Sequence, residues 1–243
     1  LAFLSAGILI AVIFGLPEGQ QPDLSLSLRP GPILGEFFTV LKTRLFYTNA
    51  FIGSISLGGL LTYVSGSPQV FMEVFHVNGK EYGWIFAFLS VGLIGASQIN
   101  SIMLKKYQSK HLITVALICQ SITGIILLTG TINSWLGLGG TIFLIFIFLA
   151  CVGFILPNTS ALAMMPFSKN AGSASSLMGA LQMGMGTLAS ISLSLLNDHS
   201  AVPMTAIMMG SAVVALLFSI LTGSTQEHTG RKKGYNSPEL YET

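Results

Sequence analysis

The stretch TIFLIFIFLACVGFILPNTSALAMM, Thr141 to Met165, restricts this chain more than any other. It carries no charge. As an α-helix it would reach roughly 37 Å, beyond the ~30 Å hydrocarbon core of a bilayer. A core helix of a soluble protein has no reason to be so long and apolar on every side. The segment reads as a membrane span. Pro157 sits inside it and Asn158 follows at once, so a helix break is expected near that end, with function beginning there.

The rest of the chain agrees. Only 8% of its 243 residues are charged and 51% are hydrophobic, with a mean hydropathy of +0.74. Soluble domains carry about a quarter charged residues, so lipid must be the solvent for most of this chain. A formal net charge of +2 is too small to suggest a nucleic-acid partner. Cys119 and Cys151 lie within apolar runs, where a thiol acts as a small hydrophobe, and no disulfide is expected. Leu1 to Leu16 lacks the basic start and cleavage site of a signal peptide. It reads instead as the end of a span, in a chain that continues a longer protein.

Seven spans are expected. After Leu1–Leu16 comes a Pro/Gly-rich stretch from Glu18 to Gly35 that should not stay helical, then a short interfacial helix at Phe37–Arg44. The second span runs from Leu45 to about Phe75 and is expected to be interrupted at Tyr63–Pro68. Tyr82–Leu104, Leu112–Gly130, Thr141–Met165, Ala171–Asn197 and Met204–Gly223 are the others. Alternating the loops places Arg29, Lys42, Arg44, Lys105, Lys106, Lys110, Lys169, Arg231, Lys232 and Lys233 on one side and Lys80 alone on the other. The basic side is the cytoplasmic one by the positive-inside rule, which puts the C-terminal tail in the cytoplasm.

Leu45–Gly130 and Thr141–Gly223 are then two sets of three spans entering the membrane from opposite sides. Each opens with a span carrying a proline near its far end, Pro68 and Pro157. Such a proline frees the carbonyl four residues earlier, Val64 or Gly153, and in lipid that carbonyl needs a partner. Proline-interrupted spans at matching positions of inverted repeats point to a transport pathway, although prolines are also common in membrane helices generally.

Polar residues within the spans are the candidate site. Asn49, Gly53, Ser56, Leu60, Tyr63 and Ser67 share one helical stripe. A small, polar stripe faces protein or a cavity, because lipid offers it nothing. Asn49, Ser56, Tyr63, Ser67, Asn158 and Gln182 are the expected cavity residues. Gln182 lies on a second stripe with Ser175, Gly179, Gly186 and Ser190; its amide suits a cavity or an interhelical bond equally. Asn158 suits substrate or the carbonyl freed by Pro157. Gln98 and Asn100, near the inner end of their span, are the expected gate. Glu73 is the carboxylate nearest a span, but none lies at mid-membrane depth, so a proton-coupling carboxylate would sit outside this chain. His76, His111, His199 and His228 show no metal-ligand spacing. No nucleophile–base set or phosphate loop is present, so no enzyme, cofactor or metal is expected. Gly184-Met185-Gly186 mimics a dinucleotide fingerprint but follows no strand.

Tyr63-Val64-Ser65-Gly66-Ser67-Pro68 with Tyr82-Gly83 resembles the Bcr/CflA drug-resistance transporters of the major facilitator superfamily. So do Gly153-Phe154-Ile155-Leu156-Pro157-Asn158, Ala171-Gly172-Ser173-Ala174-Ser175-Ser176-Leu177-Met178-Gly179, and Asn100 with Leu104-Lys105-Lys106. The resemblance covers Leu1 to about Gly223. It implies an all-α membrane fold: residues 1–16 as the sixth helix of an N-terminal bundle, 17–43 as a cytoplasmic linker, 44–223 as the C-terminal six-helix bundle and 224–243 as a cytoplasmic tail. It implies efflux of drugs or small lipophilic molecules by proton antiport across a bacterial inner membrane, with the missing N-terminal bundle as partner. An exporter or uptake carrier for a metabolite is the alternative, and a polytopic membrane enzyme or receptor a more distant one.

Overall fold

A computed structural model describes residues 2–15, 30–167, 170–196 and 200–233. The chain divides into two units, Leu1–Glu36 and Phe37–Thr243. The first contains α1 (Ala2–Gly15). Helix α2 (Pro30–Lys42) begins within it and ends in the second. The second holds α3 (Arg44–Pro68), which passes into a π-helical turn at Gln69–Val74, then α4 (Gly79–Met103), α5 (Ser109–Ile132), α6 (Leu138–Met164), α7 (Ala171–Leu195) and α8 (Val202–Lys233). No strand occurs among the described residues. This is the all-α membrane fold expected.

Five of these are long and apolar enough to cross a membrane: Arg44–Val74, Gly79–Met103, Ser109–Ile132, Leu138–Met164 and Val202–Thr222. Seven spans were expected. The described part of α1 has 14 residues. Helix α7, with 25, is as long as α4, but its glycines and serines lower its hydropathy. It packs along α3, itself one of the five, and so lies at the same depth.

Helix ends follow local chemistry. Asn78 opens α4 with a capping box: its side chain accepts from the Lys80 and Glu81 amides, and Glu81 accepts from the Asn78 amide in return. The proline-rich approach to α3 differs from expectation, because α2 already begins at Pro30. Pro30 and Pro32 both fall in the first turn, where backbone N–H groups have no intrahelical partner to lose. Residues 16–29 of the expected linker lie outside the described residues, as do residues 234–243 of the expected tail. Helix α8 runs on to Lys233, past the expected end at Gly223.

Neither proline breaks its helix, which corrects the expected interruptions. Pro157 lies inside the continuous α6. Side chains of the same turn donate to carbonyls around it: Asn158 to Phe154 at 2.8 Å, and Thr159 to Ile155 at 2.8 Å and Leu156 at 3.1 Å. At Pro68 the α-helix ends and the winding widens into a π turn, closed by Phe75 N–H on the Val70 carbonyl at 3.1 Å.

The two triplets are interleaved. Helix α3 packs on α7 and α8 of the other triplet, and α6 packs on α4 and α5; α3 also meets α6, and α5 meets α8. Exchanging α3 with α6, α4 with α7 and α5 with α8 reproduces this whole set. Neither triplet forms a bundle of its own, since neighbours such as α7 and α8 touch little. The closest approaches obey the same exchange. A Cβ on Gly153 of α6 would collide with the Leu93 carbonyl oxygen of α4 and come within 3.1 Å of Ala96 Cβ. A Cβ on Gly58 of α3 would lie 3.4 Å from the Met185 carbonyl oxygen of α7. Without a hydrophobic drive between helices in lipid, such small-residue contacts let dispersion hold them together.

Gly153→Ala is therefore expected to destabilise the bundle by about 1–3 kcal/mol, since backbone, not a flexible side chain, must yield. Gly184→Ala, where nothing lies within 4 Å, should be neutral or slightly stabilising. Thermal unfolding of the two purified variants in detergent compares them; equal melting temperatures would refute the close α4–α6 contact.

Candidate functional site

The polar stripe of α3 points inward. Ser56 and Ser67 are fully buried, Asn49 is 6% exposed and Tyr63 3%. Asn49 turns its amide back to the Leu45 carbonyl at 2.8 Å. Tyr63 stacks on Phe86 of α4, ring centroids 6.0 Å apart and planes 14° from parallel. The Ser67 hydroxyl lies 2.9 Å from the Tyr82 hydroxyl, tying the end of α3 to the start of α4. Ser54 and Ser56 are buried with their hydroxyls unpartnered among the described residues.

A different side of α3 is open. Val64, Ser65 and Pro68 are exposed, and Ser65 lies about 200° around the helix from Tyr63. The Ser65 hydroxyl is 3.1 Å from that of Ser190 on α7. Beside them runs a groove lined by Leu61 of α3 and by Met183, Gly186, Thr187, Ser190, Ile191 and Ser194 of α7. Leu61 fits against Gly186, where any Cβ would displace it. The exposed face of α7 is rich in small polar groups, among them Ser175, Ser176, Thr187, Ser192 and Ser194. The exposed faces of α5 and α8 carry Val115, Ile118, Ile122, Ile125, Val214, Leu217 and Ile220. The α7 face also carries Met183, Leu188 and Ile191, so it mixes apolar residues with small polar groups that hydrocarbon would not favour, whereas the α5 and α8 faces suit lipid throughout. Gln182 is half-buried on α7.

The buried pair Asn100 and Asn158 joins α4 to α6. Asn158 Nδ2 donates to Asn100 Oδ1 at 2.6 Å, and also to the Phe154 carbonyl. Asn158 Oδ1 is left without a partner among the described residues. Gln98, expected beside Asn100 at a gate, is exposed on the other side of α4 and is not brought to this pair. Pro68 is exposed at the rim of the α3 face, and Pro157 is half-buried in α6.

Two participants escaped the sequence reading. Ser65 belongs to the quoted Tyr63–Pro68 segment, but the stripe was phased on its opposite side. Gln120 on α5 is fully buried with both amide atoms unpartnered among the described residues. An amide in the middle of an apolar run, Leu117-Ile118-Cys119-Gln120, was the available signal.

Residues across this helical array match known transporters. The chain is 33% identical over 193 residues to an uncharacterized MFS-type transporter, YdgK, of Bacillus subtilis (strain 168), covering 79% of this chain and 47% of that protein. It is 26% identical over 214 residues to a bicyclomycin resistance protein homolog of Haemophilus influenzae, covering 87% of this chain and 53% of that one. Over most of its length the chain is therefore similar to major facilitator superfamily transporters. It spans about half the length of the curated relatives it matches. No family model matches it. The relatives are transporters, and the apolar helices make this chain part of a multi-pass membrane protein.

Replacing Asn158 by Ala removes the donor from Asn100 and from the Phe154 carbonyl. A double-mutant cycle with Asn100→Ala, read by unfolding in detergent, should give a coupling of about 0.6–1.7 kcal/mol, the range of interhelical bonds in membranes. Additive losses would show that the two amides do not interact.

Proposed function

We propose that the protein containing this chain exports drugs or other small lipophilic molecules by alternating access, with protons moving in exchange. The observation that carries this reading is the exposed, small and polar α3–α7 face on a bundle built from two inverted triplets. Inverted repeats of this kind place substrate at the midplane and rock against a second bundle. The name of one relative, a bicyclomycin resistance protein homolog, supports a drug as cargo.

In this reading residues 44–223 form the C-terminal bundle, residues 1–16 the last helix of the N-terminal bundle, and residues 17–43 the cytoplasmic linker. The N-terminal bundle faces α3 and α7. Ser65, Thr187 and Ser190 line the pathway with Gln182. The inward stripe of Asn49, Ser56, Tyr63 and Ser67 supports that wall from behind, Ser67 and Tyr63 by fixing α3 to α4. Asn100 and Asn158 hold α4 and α6 in register near the cytoplasmic end. The proton-binding carboxylate belongs to the N-terminal bundle. The membrane is the bacterial inner membrane, with the basic loops and the C-terminus in the cytoplasm.

Expression in a drug-sensitive bacterium should raise the inhibitory concentration of bicyclomycin several-fold, and a protonophore should abolish the gain. In inverted membrane vesicles the drug should dissipate an imposed pH gradient. Thr187→Trp, filling the groove from an exposed position, should reduce transport at least tenfold without lowering the melting temperature. A variant that transports normally would remove the α3–α7 face from the pathway. Proton movement driven by an amino acid or sugar instead of a drug would favour a metabolite carrier.

A further inference from the structure

The chain has two cysteines, and the fold brings them together. Helices α5 and α6 pack side by side and are joined by residues 133–137, so they run antiparallel. Cys119 precedes the end of α5 at Ile132 by as many residues as Cys151 follows the start of α6 at Leu138. At ~1.5 Å per residue both lie about 20 Å from the turn, at one depth near the middle of the membrane. Cys151 belongs to an apolar cluster with Ile113, Ala116 and Leu117 of α5. Its thiol is within hydrogen-bonding reach of the Cys119 thiol. Cys151 is buried, whereas Cys119 is exposed on the outer side of α5 with Val115, Ile118 and Ile122. One thiol therefore opens to hydrocarbon, and the second stands next to it in the interior.

We propose that this dithiol captures trivalent organoarsenic compounds that reach it through the bilayer. An arylarsine oxide bonds first to Cys119, which faces the lipid, and then to Cys151. Both S–H bonds break, two As–S bonds form, and the oxygen leaves arsenic as water with the two protons. Arsenic stays trivalent, so no oxidant or reductant takes part. The surroundings select this ligand class. Sulfur is a soft donor and favours soft acceptors. Charge is expensive at mid-membrane depth, which disfavours a metal cation held by two thiolates. The reagent, the two thiols and the dithioarsenite they form are all neutral. After the first As–S bond the second closes within one molecule, where the neighbouring thiol is at high effective concentration. The pair lies between α5 and α6, outside the α3–α7 face, so capture here does not depend on what the protein transports.

The test is mass spectrometry of the intact protein, taken from lipid vesicles exposed to phenylarsine oxide. A phenylarsenic unit should survive a wash with excess mercaptoethanol, a monothiol, and be released by ethanedithiol. Cys119→Ala and Cys151→Ala should each lose this unit to the monothiol, with affinity falling on the order of a hundredfold as the second bond disappears. Both variants exchange a thiol for a small apolar group, and their melting temperatures check that the fold is kept. A charged, membrane-impermeant arylarsine oxide should react far more slowly than phenylarsine oxide. If either folded variant holds the reagent as firmly as the unaltered protein, or if the unaltered protein loses it to the monothiol, the dithiol site is overturned. Equal rates for the charged and neutral reagents would overturn entry through the bilayer.

Discussion

The bundle depends on how closely α3 and α6 can approach their neighbours. Lipid chains are as apolar as leucine, so burying a leucine between two membrane helices gains little that lipid does not already supply. Contact area at short range has to hold the helices. Gly58 and Gly153 provide it at equivalent places, each laying its backbone against a carbonyl of the second helix in the opposite triplet. Gly124 of α5 repeats the device against Met209 of α8, where a Cβ would lie 3.0 Å from the backbone. These contacts bring the triplets together as interleaved partners and leave α4 and α7 as outer faces.

The same constraint explains how the prolines are tolerated. In water a proline in mid-helix hands its freed carbonyl to solvent. In a bilayer the carbonyl stays dry, so the cost falls on nearby side chains or on the winding of the helix. Helix α6 stays continuous through Pro157, and Asn158 and Thr159 donate to the Phe154, Ile155 and Leu156 carbonyls next to the freed Gly153 carbonyl. Helix α3 ends at Pro68, and the chain rewinds as a π turn over Gln69–Val74. The two prolines differ in place and in outcome: Pro68 is the last residue of α3, whereas Pro157 lies within the continuous α6.

Polar residues in the spans sort into three groups once the helices are assembled. Asn100, Asn158, Ser67 and Tyr82 join helices by hydrogen bonds. Thr187 and Ser190 line the outer groove of α3 and α7, with the Ser65 hydroxyl beside that of Ser190. Thr48, Asn49 and Thr222 line a recess beside Lys110. Composition alone treats all of these as polar groups in an apolar helix, although each group answers a different physical demand.

By itself the sequence determined that the chain lives in lipid, where most of its spans begin and end, and that they form two triplets of opposite sense. Those conclusions rest on run length, charge scarcity and loop charge, which are local properties. The span Thr141–Met165 was legible for the same reason, and α6 covers it almost residue for residue. The side of α3 that stays open was not legible. A stripe of small polar residues has the same pattern whether it faces a cavity or a neighbouring helix, and Ser56 and Tyr63 proved to face helices. Nor could the sequence pair Asn100 with Asn158, 58 positions apart, because an amide in one span has no local partner that names its distant one. Only the tertiary structure decided these points, since in lipid a helix's orientation is set by which neighbours fit against it.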